Sequence, residues 1–337
     1  MALSKGTRLG RFALLPLFFL ACIFMAGPVT ASIGDQLPEF KECVKICKLE
    51  NCGPDAAHQT PIPLHRRLLL WTCPAECDYT CQQIITSRRL AAHPPQPVVQ
   101  FHGKWPFRRV LGMQEPFSVL FSLGNLAAHW YGLRKLVLPR IPSAFTMRPF
   151  YERLAKLGFV TWFLSAVFHT RDFRVTEQLD YFAAGASVLY GMYYAAVRLF
   201  RWDRQTPDAK RRLRLWTGLC WGLYACHVGY LKLWRWDYTY NTLACVVCGA
   251  VQNVLWCTFS WKRYKQTRQS WALWPVGVVV WVLVAMSLEL FDFPPLWAAL
   301  DAHSLWHLGT IPPAVVFYHF LVKDAQDEMA RSARLKA

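Results

Sequence analysis

The sequence predicts an all-α membrane protein: seven transmembrane helices behind an N-terminal disulfide-rich lumenal domain. Three observations carry that prediction. Apolar residues make up 54% of the 337 and charged ones 18%, below the roughly 25% charged of a soluble chain. Several apolar runs approach the roughly 20 residues that span a bilayer. Two cysteine triplets follow a short apolar N-terminal run that itself has a basic start. This composition excludes a disordered chain and argues against an ordinary soluble enzyme. An aromatic content of 15% suits interfacial belts.

Residues 1–31 read as a signal peptide. Lys5, Arg8 and Arg11 precede the apolar stretch from Phe12 to Gly27, and small residues lead out to Ala31, the order of a cleaved secretory signal. The competing expectation is a retained signal anchor. Either way the following residues start on the lumenal side.

Residues 32–113 form the expected lumenal domain. Its cysteines fall as Cys43-x3-Cys47-x4-Cys52 and Cys73-x3-Cys77-x3-Cys81. Spacing close to the helical repeat turns several thiols toward one face of each of two helices. A hairpin stapled by three disulfides is expected, since a secreted environment favours disulfides over zinc. The pairing stays open. Cys220, Cys226, Cys245, Cys248 and Cys257 lie in apolar segments and read as small core residues.

The membrane domain, 114–323, holds apolar segments at 115–133, 154–170, 178–198, 214–231, 240–261, 271–290 and 303–322, and a cytoplasmic tail, 324–337, follows. Lipid cannot satisfy an open backbone, so the segments read as helices. With a lumenal N-terminus, the first, third and fifth loops and the tail face the cytoplasm. They carry 21 Lys and Arg, Arg198 and Arg263 among them, against four in the other loops. That is the bias a cytoplasmic side shows. The net charge of +17 is thereby explained by topology, and nucleic acid is not expected as a partner.

Ionisable groups inside a membrane are costly and point to function. Three clusters gather toward the lumenal face. His303 and His307 are four apart on the last span, with Cβ atoms roughly 5–6 Å apart on one helix face. Ser165 and His169 repeat the spacing on the second span, and Asp180 opens the third. Three imidazoles leave zinc a fourth position for water, and Asp180 would offset the ion's charge. Structural readings stand beside this one. Ser165 would bond back to its own helix, the histidines would stack at the interface without metal, and Asp180 would pair with Arg171 or Arg174. His129 and His227 read as packed side chains, and Asp172 and Glu177 as solvated loop charges. His58, His65 and His93 read as solvated. In the segment Gln100–Arg109, Lys104, Arg108 and Arg109 would either meet lipid phosphate or anchor a helix end.

The order of Ser165, His169, Asp180, His303 and His307 resembles the CREST superfamily of seven-helix membrane hydrolases, which includes alkaline ceramidases and adiponectin-type receptors. Residues 101–125 (FHGKWPFRRVLGMQEPFSVLFSLGN), 168–184 (FHTRDFRVTEQLDYFAA) and 301–307 (DAHSLWH) narrow the match. Together with the paired cysteine clusters, they look like the signature of the family of post-GPI-attachment-to-proteins factor 3, the GPI-specific phospholipase A2-like proteins. The resemblance covers nearly the whole mature chain. Phe117 departs from it, where a small residue is expected.

The resemblance implies removal of the unsaturated sn-2 fatty acid from the phosphatidylinositol of GPI-anchored proteins. Those proteins and membrane lipids would be the partners. The place would be the Golgi membrane or the endoplasmic reticulum. His169, His303 and His307 would hold Zn2+. Asp180 would orient the attacking water and return a proton to the leaving alkoxide. Ser165 would donate to the developing oxyanion or support the site from behind. Two rival functions use the same residues. One is a ceramidase-like amidase; the other is a non-enzymatic lipid receptor or chaperone with a structural metal.

Overall fold

The computed structural model describes residues 32–53, 61–290 and 292–334; the expected signal peptide and His58 lie outside them. Regular structure among the described residues is helical, with a few isolated bridges. Helices α1 (Pro38–Asn51) and α2 (Cys73–Ala91) pack as a hairpin. Each has a proline in its first turn, where the missing N–H is one the helix leaves unpaired anyway. The cysteines close a ladder: Cys43–Cys81, Cys47–Cys77 and Cys52–Cys73, at Cα separations of 5.8, 5.6 and 5.7 Å. One turn along α1 therefore matches one turn back along α2. Phe40, Ile85, Val99 and Phe101 form a small core beside them. So small a core gains from covalent staples. Cys52, Cys73 and Cys77 lie close enough to mimic a metal site, but their sulfurs are already spent in disulfides.

Seven long helices follow, one in each apolar segment: α3 (Pro116–Tyr131), α4 (Arg148–Thr170), α5 (Arg174–Phe200), α6 (Pro207–Gly229), α7 (Tyr238–Thr267), α8 (Trp274–Leu290) and α9 (Ala302–Arg334). By length and composition, α7, the stretch Ser270–Glu289 containing α8, and α9 are suited to cross a membrane. The opening turns of α6 carry Asp208, Lys210, Arg211, Arg212 and Arg214, which lowers its apolar average. Leu219, Trp221, Trp281 and Val284 are exposed and lie outside the lining of the central cavity. An apolar belt of that kind is at home in lipid, and the chain is membrane-associated.

Local chemistry sets several helix ends. Thr206 accepts from the Ala209 N–H at 3.3 Å and Asp237 from that of Tyr240 at 3.0 Å, capping α6 and α7. Inside α9, Pro313 has no N–H to give the Gly309 carbonyl. Trp281 Nε1 of α8 donates to that oxygen at 2.7 Å, so the freed acceptor becomes a tie between two helices.

Helix α9 runs on through the expected boundary at 323. Asp324, just beyond it, is 0% exposed. Arg198 of α5 reaches it at 2.7 Å and Glu328 at 2.5 Å. Arg263 of α7 approaches Asp324 at 3.1 Å and Asp327 at 2.9 Å. Arg198 is itself 1% exposed, so part of the basic excess read as topological is structural. Three of the membrane cysteines meet the expectation: Cys220 is buried in the main core, and Cys248 and Cys257 pack against it. Cys226 is exposed and departs from it.

Candidate metal centre

His169 comes from the last turn of α4, His303 and His307 from the first turns of α9. The start of α9 is fixed by a reciprocal cap: the Ser304 N–H donates to Asp301 Oδ1 at 2.9 Å, and the Asp301 N–H to Ser304 Oγ at 3.1 Å. That cap sets the phase of the helix, and hence the face shared by the two histidines. The three rings lie with centroids 5.2, 5.0 and 4.6 Å apart. A ligand atom from each lies within 4.8 Å of the others.

Each ring is held from behind through Nδ1. His169 Nδ1 lies 2.7 Å from Glu115 Oε2, and His303 Nδ1 lies 2.7 Å from Glu289 Oε2. His307 Nδ1 lies 3.0 Å from Ser122 Oγ and 3.3 Å from the Ser118 carbonyl. Carboxylates and a carbonyl only accept, so each Nδ1 carries a proton. In the neutral ring that leaves the Nε2 lone pair for a metal ion.

Glu115 is held in turn. Its Oε1 accepts from Lys104 Nζ at 2.6 Å, and the same ammonium reaches Asp172 at 2.9 Å. Burial works against the Lys104 charge, but Glu115 and then Asp172 outweigh it and raise its pKa above the ordinary lysine value. Lys104 is therefore engaged internally, and Asp172 is no free loop charge. Arg109 pairs with Glu76 at 2.8 Å and stacks on Trp71; burial draws its pKa down to about 10. Arg171 covers the same indole, 3.6 Å from its centroid. Of the three cations expected at lipid phosphate, Arg108 alone is exposed. Glu177 accepts from the Tyr238 hydroxyl. His129 is packed as expected, hydrogen-bonded to Tyr318 at 2.7 Å.

Ser165, His169, Asp180, His303 and His307 all line one cavity of about 3770 Å³, walled by α4, α5, α7 and α8. Ser165 Oγ lies 3.2 Å from Ser122 Oγ. Because Ser122 accepts from His307, its own proton is free for Ser165. The Ser165 proton is then available to Asp180, which faces Ser165, His169 and His303. Sequence reasoning missed Glu115, Glu289 and Ser122. The first two are acidic residues at span ends, and the cost of intramembrane charge is the signal that marks them. A serine on a membrane helix carries no such signal.

The Per1-like family model matches residues 63–325. The chain belongs to the Per1-like family. It is 36% identical over 328 residues to the Protein PER1 homolog of Schizosaccharomyces pombe, covering 95% of this chain and 96% of that protein. It is 38% identical to the GPI-specific phospholipase A2-like PGAP3 of Xenopus laevis, over 90% of this chain and 93% of the relative. The Homo sapiens protein of that name is 36% identical, over 89% and 91%. The stretch matched to the Per1-like family takes in the three histidines, Ser165, Asp180 and the residues behind them, and begins after α1.

Proposed function

We propose that this chain is a membrane hydrolase that removes the sn-2 acyl chain from the phosphatidylinositol of GPI-anchored proteins. The observation that carries the proposal is the meeting of three anchored imidazoles, their Nε2 atoms free, at a cavity lined mainly by apolar side chains. The relatives whose name is GPI-specific phospholipase A2-like supply the substrate class.

Three neutral imidazoles with their Nδ1 atoms fixed fit a catalytic zinc ion with one position open. Zinc held there would supply Lewis acidity and lower the pKa of water toward about 7. The chain's own groups do the rest. Asp180 orients the attacking water and takes its proton as the water oxygen bonds to the ester carbonyl carbon. It passes that proton to the glycerol oxygen as the acyl C–O bond breaks. Ser165 directs its O–H at the carbonyl oxygen as that oxygen gains charge; one such donor is worth about 3 kcal/mol. The cavity takes the acyl chain out of contact with water. All seven of α3–α9 span the membrane, with the cysteine hairpin and metal centre on the lumenal side of the Golgi. The charge bias of the loops supports that orientation.

The test is the lipid of GPI-anchored proteins in cells lacking this chain, rescued with wild type, Asp180→Ala or His303→Ala. Expected is retention of the unsaturated sn-2 chain without the protein and with either variant, at normal protein level. Unchanged anchors with accumulated ceramide would install the amidase reading instead. Full remodelling by both variants would leave only a binding role.

A further inference from the structure

The three histidines are not supported alike. His307 leans on a hydroxyl and a backbone carbonyl, both neutral. His169 and His303 each lean on a carboxylate, Glu115 and Glu289, at 2.7 Å. The two carboxylates differ again. Glu115 is 4% exposed and neutralised by Lys104, which lies only three residues beyond Phe101 of the cysteine-hairpin core. Glu289, on the last full turn of α8, has a side chain 35% exposed and no cation among its described ion pairs apart from His303 itself. One support thus ends in the N-terminal unit and the other in a neighbouring membrane helix.

We infer that Glu115 and Glu289 are positioning residues which hold His169 and His303 in the Nδ1-protonated tautomer, and that Lys104 acts on the centre only through Glu115. This rests on the metal reading of the three histidines. A carboxylate behind an imidazole fixes the ring's rotation and raises the basicity of its far nitrogen, and loss of such support typically lowers metal affinity about 10- to 100-fold. The pairing also explains why a lysine should be buried beside a ligand. Without Lys104, Glu115 would be a buried carboxylate lacking its cation and free to swing away from His169. The tight segment Phe101–Lys104, closed by mutual backbone hydrogen bonds of 2.7 and 2.9 Å, holds the ammonium in place. The stapled hairpin thereby reaches the centre through two side chains.

The experiment measures zinc stoichiometry and affinity, by chelator competition, on the full detergent-purified chain. The variants are Glu115→Gln, Glu289→Gln, Glu289→Asp, Lys104→Met and Lys104→Met with Glu115→Gln. Cobalt substitution adds a visible spectrum that reports ligand geometry. Expected is one zinc per wild-type chain, and affinity lower by about 10- to 100-fold for each Glu→Gln variant. The cobalt spectrum should change, and Glu289→Asp should recover part of the loss. Lys104→Met should shift affinity alone but add nothing on top of Glu115→Gln, the sign of action through one residue. If wild type binds zinc and both Glu→Gln variants bind it equally well with an unchanged spectrum, the positioning role is overturned. Additive effects of Lys104→Met and Glu115→Gln would overturn the relay. A wild type that binds no metal would overturn the metal reading itself, and this inference with it. Glu289 reaches His303 from α8 and takes no part in the Lys104–Glu115 pair, so its variants decide the matter even if Glu115→Gln fails to fold.

Discussion

At one end of the helical bundle Arg198 and Arg263 surround Asp324, with Asp327 and Glu328 beside them. At the other, Glu115, Glu289 and Ser122 stand behind three histidines. Both ends bury ionisable groups and both tie α9 to its neighbours. At the first, each charge meets an opposite charge and the set closes on itself. At the second, among the described residues, every ring has a hydrogen-bond partner on Nδ1 and none on Nε2, and a nitrogen of each ring lies within 4.8 Å of the others. Burial of charge therefore does not by itself mark a functional site. A set that is ordered from behind and incomplete in front does.

That contrast breaks most easily at the closed end. Arg198→Ala leaves the buried Asp324 with Arg263 alone and is expected to cost about 3 kcal/mol, read by thermal or denaturant unfolding in detergent. Replacing Arg198, Arg263 and Asp324 together with apolar residues of similar size leaves Glu328 with Arg201 and Asp327 with Arg331, and should recover most of that loss. The surviving folded fraction should still bind zinc, because the network is structural. Next comes His307→Ala, expected to cost only about 1–2 kcal/mol of stability for its lost hydrogen bonds while abolishing zinc binding. A loss as large as that for Arg198→Ala would place both ends in one structural class. Ser122→Ala is a finer probe. Removing the hydroxyl behind His307 should weaken zinc by about tenfold, with the Ser118 carbonyl left as acceptor.

The smallest effect belongs to an exposed pair outside both ends. His102 hydrogen-bonds Asp78 at 3.0 Å and faces Asp35. The Asp78 hydrogen bond, against partial burial, raises its pKa above 6.5. The protonated ring thus stabilises the N-terminal unit fully below pH 6.5 and progressively less as pH rises through the raised value. Solvent screening keeps this under about 1 kcal/mol. His102→Ala should flatten the pH dependence of unfolding of this unit across that window, and leave the Arg198 and zinc results untouched.

Local rules were enough for much of this. The Cys-x3-Cys and His-x3-His spacings are one helical turn, so they place side chains on one face before any tertiary contact exists. The apolar segments foreshadow α3–α9 within several residues at each end, except at the C-terminus of α9, which runs twelve residues past the expected 322. His169, Asp180, His303 and His307 were legible because imidazole and carboxylate groups are expensive in apolar runs; Ser165 was legible through its spacing of one helical turn from His169. The contacts of the expected tail were not legible: α9 continues as helix to Arg334, and Asp324 meets Arg198 and Arg263.

From sequence alone came the helical class, the paired cysteine faces and the five residues around the candidate cation. Tertiary structure decided which cysteines join and which acids stand behind which rings. It also set Lys104 inside rather than at lipid, and made Arg198 a buried strut rather than a topological charge. The reason is range. Periodicity acts over a single turn, whereas Glu115 meets His169 across 54 residues and Ser122 meets His307 across 185, distances that only packing of whole helices can close.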